Sequence, residues 1–245
     1  MECADGVKLR GGGSDNKGGR AYFPRMPHIR THLIAWASLG LVACKSTPPK
    51  PPEPSEHALA GLAAQHVAVL PTYAVRLAGT SGPLDMKPVE FERTLDADIP
   101  AAFEDKGIKK AWLFPPDLRA SYRRNSSYAA DPDNFALEPL RSPMLAIDTR
   151  LPEPLASQVR TLVALHDDTR LVLVPVELKL EPVPATAAAP AGQGTARGVL
   201  RVVLLDARLS NVRWIGDITS DPAPGFGAAI TASVAAKLAA AVAPQ

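Results

Sequence analysis

His166, Asp167 and Asp168 form the densest polar cluster in the chain. A histidine beside two carboxylates has the groups for metal binding or proton transfer. Sequence neighbours rarely converge on one ion, however, and these three stand where a helix gives way to a strand. A histidine in a last helical turn followed by an aspartate-rich connection accounts for them. Asp131-Pro132-Asp133-Asn134 opens like a calcium loop but lacks the glycine at position six and the closing glutamate, so it reads as a turn. Gly79-Thr80-Ser81-Gly82 and Gly192-Gln193-Gly194 lack the Lys-Ser/Thr ending of a phosphate loop. Gly-x-Ser-x-Gly, His-Glu-x-x-His and Ser-x-x-Lys are absent as well. No metal site and no cofactor is expected, and a non-catalytic role is favoured, although carboxylate pairs leave no motif and His66 and His166 keep a hydrolase in view.

Arg119, Tyr122, Arg123, Arg124 and Tyr128 are the one basic and aromatic cluster after residue 44, a candidate surface for a protein partner or an anionic polymer. A solvated helix face accounts for the same residues. Trp214, on the apolar side of a strand, is expected to pack in the core.

The remaining reactive group is the Cys44 thiol. Arg25 and Arg30 precede eleven largely apolar residues from Leu33 to Ala43, and small Ala43 stands just before the cysteine, the layout of a cleavable secretory signal. As a helix that run spans about 16 Å, too short to cross a bilayer. Leu41-Val42-Ala43-Cys44 resembles the lipobox of bacterial lipoproteins. The resemblance implies cleavage between Ala43 and Cys44, acyl chains on the cysteine as membrane anchor and, with Lys45 where an inner-membrane protein often has Asp, outer-membrane sorting. A buried helix with a core cysteine is the competing reading.

Residues 1–25, with their run from Gly11 to Gly19, read as a spurious or disordered extension, and translation starts at either Met1 or Met26. Residues 26–43 are the signal, and residues 44–63 are the lipidated cysteine and a proline-rich tether. Residues 64–245 are one folded domain. Beyond residue 43 there are 21 Lys or Arg against 22 Asp or Glu, so no concentrated basic face argues for nucleic acid. Only Cys44 remains there, which excludes a disulfide framework.

Several elements are legible in the domain. His66 to Leu70 is a strand stopped by Pro71, and residues 72–92 are a hairpin or an irregular excursion. Asp98 to Gly107 is a short helix with Pro100 in its first turn. Ile108 to Phe114 is a strand closed by Pro115 and Pro116, and Asp117 to Arg124 a helix. Leu155, Val159 and Leu162 mark a helix from Pro154 to His166. From Thr169, Val172, Val174, Val176, Leu178 and Leu180 alternate as a strand with one buried face. A low-complexity loop leads to a strand from Gly198 to Asp206. On a third strand Val212, Trp214 and Ile218 alternate with Arg213, Asp217 and Thr219. Ile230, Val234, Leu238 and Val242 recur every four residues, a closing helix.

The expected fold is therefore α+β, or a three-layer arrangement around one sheet. A mixed or antiparallel sheet ends in a three-strand meander and is packed by helices, including a C-terminal amphipathic one. His66-Val-Ala-Val-Leu-Pro71, Thr169-Arg-Leu-Val-Leu-Val-Pro175 and Val203-Leu-Leu-Asp206 leading to Val212-Arg-Trp214-Ile-Gly216 resemble envelope lipoproteins with a curli-secretion-like or penicillin-binding-protein-activator-like domain. That resemblance implies a binding, adaptor or assembly role on the periplasmic side, with an envelope protein complex as partner and no nucleic acid. The alternatives are a lipid-anchored hydrolase and an auxiliary subunit of an envelope transport complex.

Overall fold

Long runs of valine and leucine dictate a sheet at the centre of this chain. The computed structural model describes residues 59–78, 86–166, 168–183 and 195–243. The extension, the signal, Ala43, Cys44, residues 44–58 of the tether, Gly79 to Gly82, Asp167 and the low-complexity loop at 184–194 lie outside the described residues. The folded part reaches back into the stretch assigned to the tether, since Leu59 and Leu62, around a 3-10 turn at Ala60–Leu62, are buried in the core.

Among the described residues seven strands make one mixed sheet: β1 (Val67–Val69), β2 (Val75–Leu77), β3 (Trp112–Leu113), β4 (Leu171–Val183), β5 (Thr195–Asp206), β6 (Asn211–Thr219) and β7 (Ala223–Pro224). Their order is β3-β1-β4-β5-β6, with β2 also beside β4 and β7 beside β5. β3, β1 and β4 are parallel, and β4, β5 and β6 form the antiparallel meander. The fold is α+β. Helices α1 (Pro88–Asp105) and α4 (Ala228–Val242) pack on one face with each other, and α3 (Leu155–Ala164) covers the other, together with Leu118 of α2 (Pro115–Arg124) and a connection carrying Phe135, Leu137 and Leu140.

The five alternating residues of β4 do not share one face. Pro175 pairs with Val202 and Glu177 with Arg201, so Val176 is an extra, bulged residue. Val172, Val174 and Val176 pack under α3, whereas Leu173, Leu178 and Leu180 pack under α1 and α4. β4 is therefore buried on both faces along its first half, as parallel strands covered by helices are. A second bulge in β6 sets Trp214 opposite Leu204 and Val212 opposite Leu205, which leaves Arg213 over and turns its side chain out. Val212 and Trp214 consequently lie on opposite faces, and Trp214 is half-buried, its indole across Gly216.

Further corrections concern residues 72–124. α1 starts ten residues before the expected cap at Asp98, and Pro100 lies in its interior, where it removes the bond its N–H would give to the Asp96 carbonyl. The true start is Lys87, whose N–H donates to the Glu90 carboxylate (2.9 Å), followed by Pro88. Phe91, Leu95, Ile99 and Phe103 then bury one stripe, and the Phe103 ring meets Trp112 at 4.7 Å and Phe114 at 5.5 Å. These residues outweigh the cost of an interior proline. Pro115 and Pro116 do not merely end a strand: they open α2, where the Phe114 N–H donates to Asp117 (3.0 Å). The strand before them is only Trp112–Leu113, after a 3-10 turn at Lys109–Ala111.

Candidate functional site

β1 ends at Val69, and the chain leaves the sheet at Leu70-Pro71-Thr72. That brings the Thr72 N–H against α1, where it donates to Asp96 Oδ1 at 2.7 Å. α2 begins directly after β3, the parallel neighbour of β1, and carries Arg119 to the same place, anchored by buried Leu118. Between them is a cleft of about 250 Å³ lined by Pro71, Thr72, Tyr73, Val89, Glu92, Arg93, Asp96, Arg119, Pro132 and Asp133. It lies beyond the carboxyl ends of two parallel strands, where open sheets with helical cover usually hold their ligands.

Arg119 is committed inside this cleft. Its Nε donates to both oxygens of Asp133 at 3.0 Å, and its Nη2 reaches Asp133 Oδ1 at 2.7 Å and Asp96 Oδ2 at 3.2 Å. Asp133 belongs to the Asp131-Pro-Asp-Asn134 turn, whose Asp131 side chain accepts from the Asp133 N–H (3.1 Å) and from Asn134 Nδ2 (2.7 Å). The calcium-loop fragment is thus a turn that aims a carboxylate at an arginine.

Burial pushes the Asp96 carboxyl above its usual value, and the Thr72 and Arg119 hydrogen bonds offset this only in part. Glu92, one helical turn earlier, is raised by its own burial and then by the negative charge of Asp96. Hydrogen bonding to Asp133 raises Arg119 further, so it stays charged. Glu92 has no hydrogen-bond partner among the described residues. Arg119 is paired with Asp133 and Asp96, whereas exposed Arg93 and half-buried Glu92 have no ion pair among the described residues, so the cleft offers a visitor both a cation and a carboxylate.

The other members of the predicted partner surface do not join Arg119. Tyr122 is half-buried, Arg123 and Arg124 are exposed at the end of α2 without an ion pair among the described residues, and Tyr128 donates to Asn125 Oδ1 (2.7 Å). His66 and His166 do come together, with Lys110 and Asp168, around a pocket of about 210 Å³ at the opposite end of the parallel strands. Among the described residues no three His, Cys, Asp or Glu side chains are grouped to hold a metal ion. Sequence reasoning missed Glu92, Asp96, Thr72 and Tyr73. The four-residue spacing of Glu92 and Asp96 was visible, but on an exposed helix that spacing means only a solvated face.

No family model matches the chain, and no curated protein matches it. Among solved structures it is similar to lipoprotein GNA1162 from Neisseria meningitidis, at 11% identity over 68% of this chain and 90% of that one, with a TM-score of 0.35. The C-terminal domain of LpoB from Salmonella enterica is 10% identical over 63% of this chain and 81% of that one, with a TM-score of 0.29. The hypothetical protein CT253 from Chlamydia trachomatis is 14% identical over 63% and 72%, with a TM-score of 0.26. Similarity at this level says nothing of what the chain does.

Proposed function

We propose that this chain is a lipid-anchored lipoprotein of the bacterial envelope, facing the periplasm from the outer membrane and acting as a binding or adaptor protein. The observation that carries this reading is the order basic residues, eleven-residue apolar run, Leu41-Val42-Ala43-Cys44 and proline-rich exit. None of the helices among the described residues is long and apolar enough to cross a membrane, which is compatible with an anchor at Cys44. The partner, an envelope protein, meets the cleft at Asp96 and Arg119 and the neighbouring cations Arg123 and Arg124, with Tyr122 and Tyr128 beside them. Metabolic labelling with a clickable fatty acid tests the anchor. Label is incorporated into the wild type and lost in Cys44→Ala, and an unlabelled wild type overturns the reading. A crosslinked pull-down from membranes then recovers a specific envelope protein, and Arg123→Glu with Arg124→Glu reduces its yield.

A second reading, a lipid-anchored hydrolase, draws on Glu92 and Asp96, two carboxyls one helical turn apart in one cleft and both raised by burial, since a pair of this kind supplies a proton donor and a proton acceptor to one substrate. It requires turnover of an envelope polymer or ester that Glu92→Gln abolishes while the fold persists.

A further inference from the structure

The end of the sheet opposite the cleft carries a different surface. Here β5 turns into β6 through Ala207-Arg208-Leu209-Ser210, and Leu209, 53% exposed, stands at the tip. Asp206, 1% exposed, holds the turn by accepting the N–H groups of Arg208 and Leu209 (both 3.0 Å). The segment 147–151 runs alongside: the Asp148 N–H donates to the Val212 carbonyl (2.8 Å) and the Leu151 N–H to that of Ser210 (2.8 Å). It adds Ile147, 56% exposed, to the same end.

The charges around Leu209 are five arginines and four carboxylates, and the arginines differ in whether they are paired. Arg170 is held by Asp206 (2.6 Å), and Arg160 by Glu153 (2.9 Å) and Ser210 (2.9 Å). Arg150, Arg208 and Arg213 are exposed and have no partner among the described residues. Arg213 points outward because of the β6 bulge. Of the carboxylates nearby, Asp206 and Glu153 are answered by arginines, and Asp148 accepts from Asn211 Nδ2 (3.2 Å). Asp168, exposed near the start of β4, is the remaining one. Leu209 and Ile147 therefore stand exposed beside three arginines that have no ion pair among the described residues, and neither side chain belongs to a core cluster.

The start of the fold adds the second argument. Leu62 and Gln65 line one pocket of about 310 Å³ with Arg170, Arg213 and Trp214, so the chain enters the domain at this end. Fourteen residues separate Leu59 from Cys44, at most about 50 Å of chain even when fully extended. Building on the lipoprotein reading, we infer that this sheet end is a docking surface for an anionic lipid bilayer. Arg150, Arg208 and Arg213 meet lipid phosphates, and Leu209 and Ile147 enter the interfacial layer. The acyl anchor supplies proximity, and the arginines fix which end of the domain faces the lipid.

The test uses the chain from residue 44 onward with Cys44→Ala, so that no acyl chain contributes, and co-sedimentation with phosphatidylcholine vesicles with and without phosphatidylglycerol. Binding is expected only with the anionic lipid and falls as salt rises. A basic residue at an anionic surface contributes about 1 kcal/mol, so Arg150→Gln, Arg208→Gln and Arg213→Gln each weaken binding about fivefold, and together on the order of a hundredfold. Leu209→Asn weakens it further, and unchanged circular dichroism confirms that the variants are folded. Equal binding to neutral vesicles, indifference to the triple substitution or no binding at low salt overturns the proposal. So does capture of an acidic protein by the same arginines without vesicle binding. Fatty-acid labelling at Cys44 is read independently, so a labelled protein whose Cys44→Ala form ignores anionic vesicles keeps its anchor and loses this docking surface.

Discussion

Replacing Gly198 by alanine places a methyl group where β5 passes beneath α4. A Cβ at that position lies 2.4 Å from Ile230 Cγ2, 3.1 Å from Leu178 Cδ1 and 3.7 Å from Val234 Cγ2. Carbon atoms in favourable contact sit roughly 3.5–4.0 Å apart, so the strand or the helix must move by more than an ångström. The strand is pinned: the Gly198 N–H donates to Ser220 Oγ (2.9 Å), and its carbonyl accepts the Ser220 N–H (2.8 Å). Ile230 cannot swing its Cγ2 away cheaply either, because a β-branched side chain in a helix is confined to one χ1.

Overpacking of this kind costs about 1–3 kcal/mol, against a gain of about 0.4–1 kcal/mol from restricting the unfolded chain. The net destabilisation is roughly 1–2 kcal/mol, or a fall in Tm of about 2–8 °C for a domain of this size. Urea unfolding of Gly198→Ala, Ile230→Ala and the double variant measures it, with midpoints compared at constant m. Ile230→Ala alone loses about 2–5 kcal/mol. In the double variant the new methyl occupies part of the vacated space, so the combined loss falls short of the sum by about 1 kcal/mol or more. A neutral or stabilising Gly198→Ala, or strict additivity, would refute the close packing of β5 against α4.

Two titrations test the charged groups from opposite directions. Burial alone would raise Asp206, but Arg170 and the N–H groups of Arg208 and Leu209 outweigh it and hold the carboxyl below its ordinary 3.8. Its contribution is present above that value and lost as pH falls through the folded pKa, so the deficit of Asp206→Asn is about 1.5–3 kcal/mol near neutrality and narrows in strong acid. Glu92 is raised above its ordinary 4.5 by burial and by Asp96, so its contribution is present below that value and lost as pH rises through the folded pKa. Glu92→Gln is therefore more stable than wild type at pH 7, by at most about 1 kcal/mol for this half-exposed group, and the advantage vanishes below the ordinary glutamate pKa; thermal melts at both ends of the range decide it.

The part of the fold that could be read from residues alone is the part in which one period governs a whole element. Ile230, Val234, Leu238 and Val242 face the sheet as their spacing requires, and the meander follows from its turn residues. Phe91, Leu95, Ile99 and Phe103 carry the same four-residue signal, yet Pro100 reads locally as a helix start and divides the run. Packing overrode that local rule. In β4 the failure is different, since a bulge is one residue added to a period of two, and its one local mark in Val174-Pro175-Val176-Glu177 is Pro175, which has no N–H to give a ladder and in a central strand stands at a bulge. The cleft was invisible for a third reason: Thr72, Asp96, Arg119 and Asp133 belong to four separate segments, and only the parallel pairing of β1 with β3 brings them together.

The two bulges have functional weight because each sends residues in a direction that a regular strand would not. The bulge at Val176 lies alongside the break between β1 and β2, where the Tyr73 N–H reaches the Pro175 carbonyl and the Leu178 N–H the Ala74 carbonyl. With both strands irregular there, the chain around Pro71 and Thr72 can leave the sheet and reach α1, which is what puts a donor on Asp96. The bulge at Arg213 frees an arginine at the other end. If the polarity is as proposed, lipid at the hairpin and partner at the cleft, the length of β4 between them is the distance at which this domain presents its partner to the membrane.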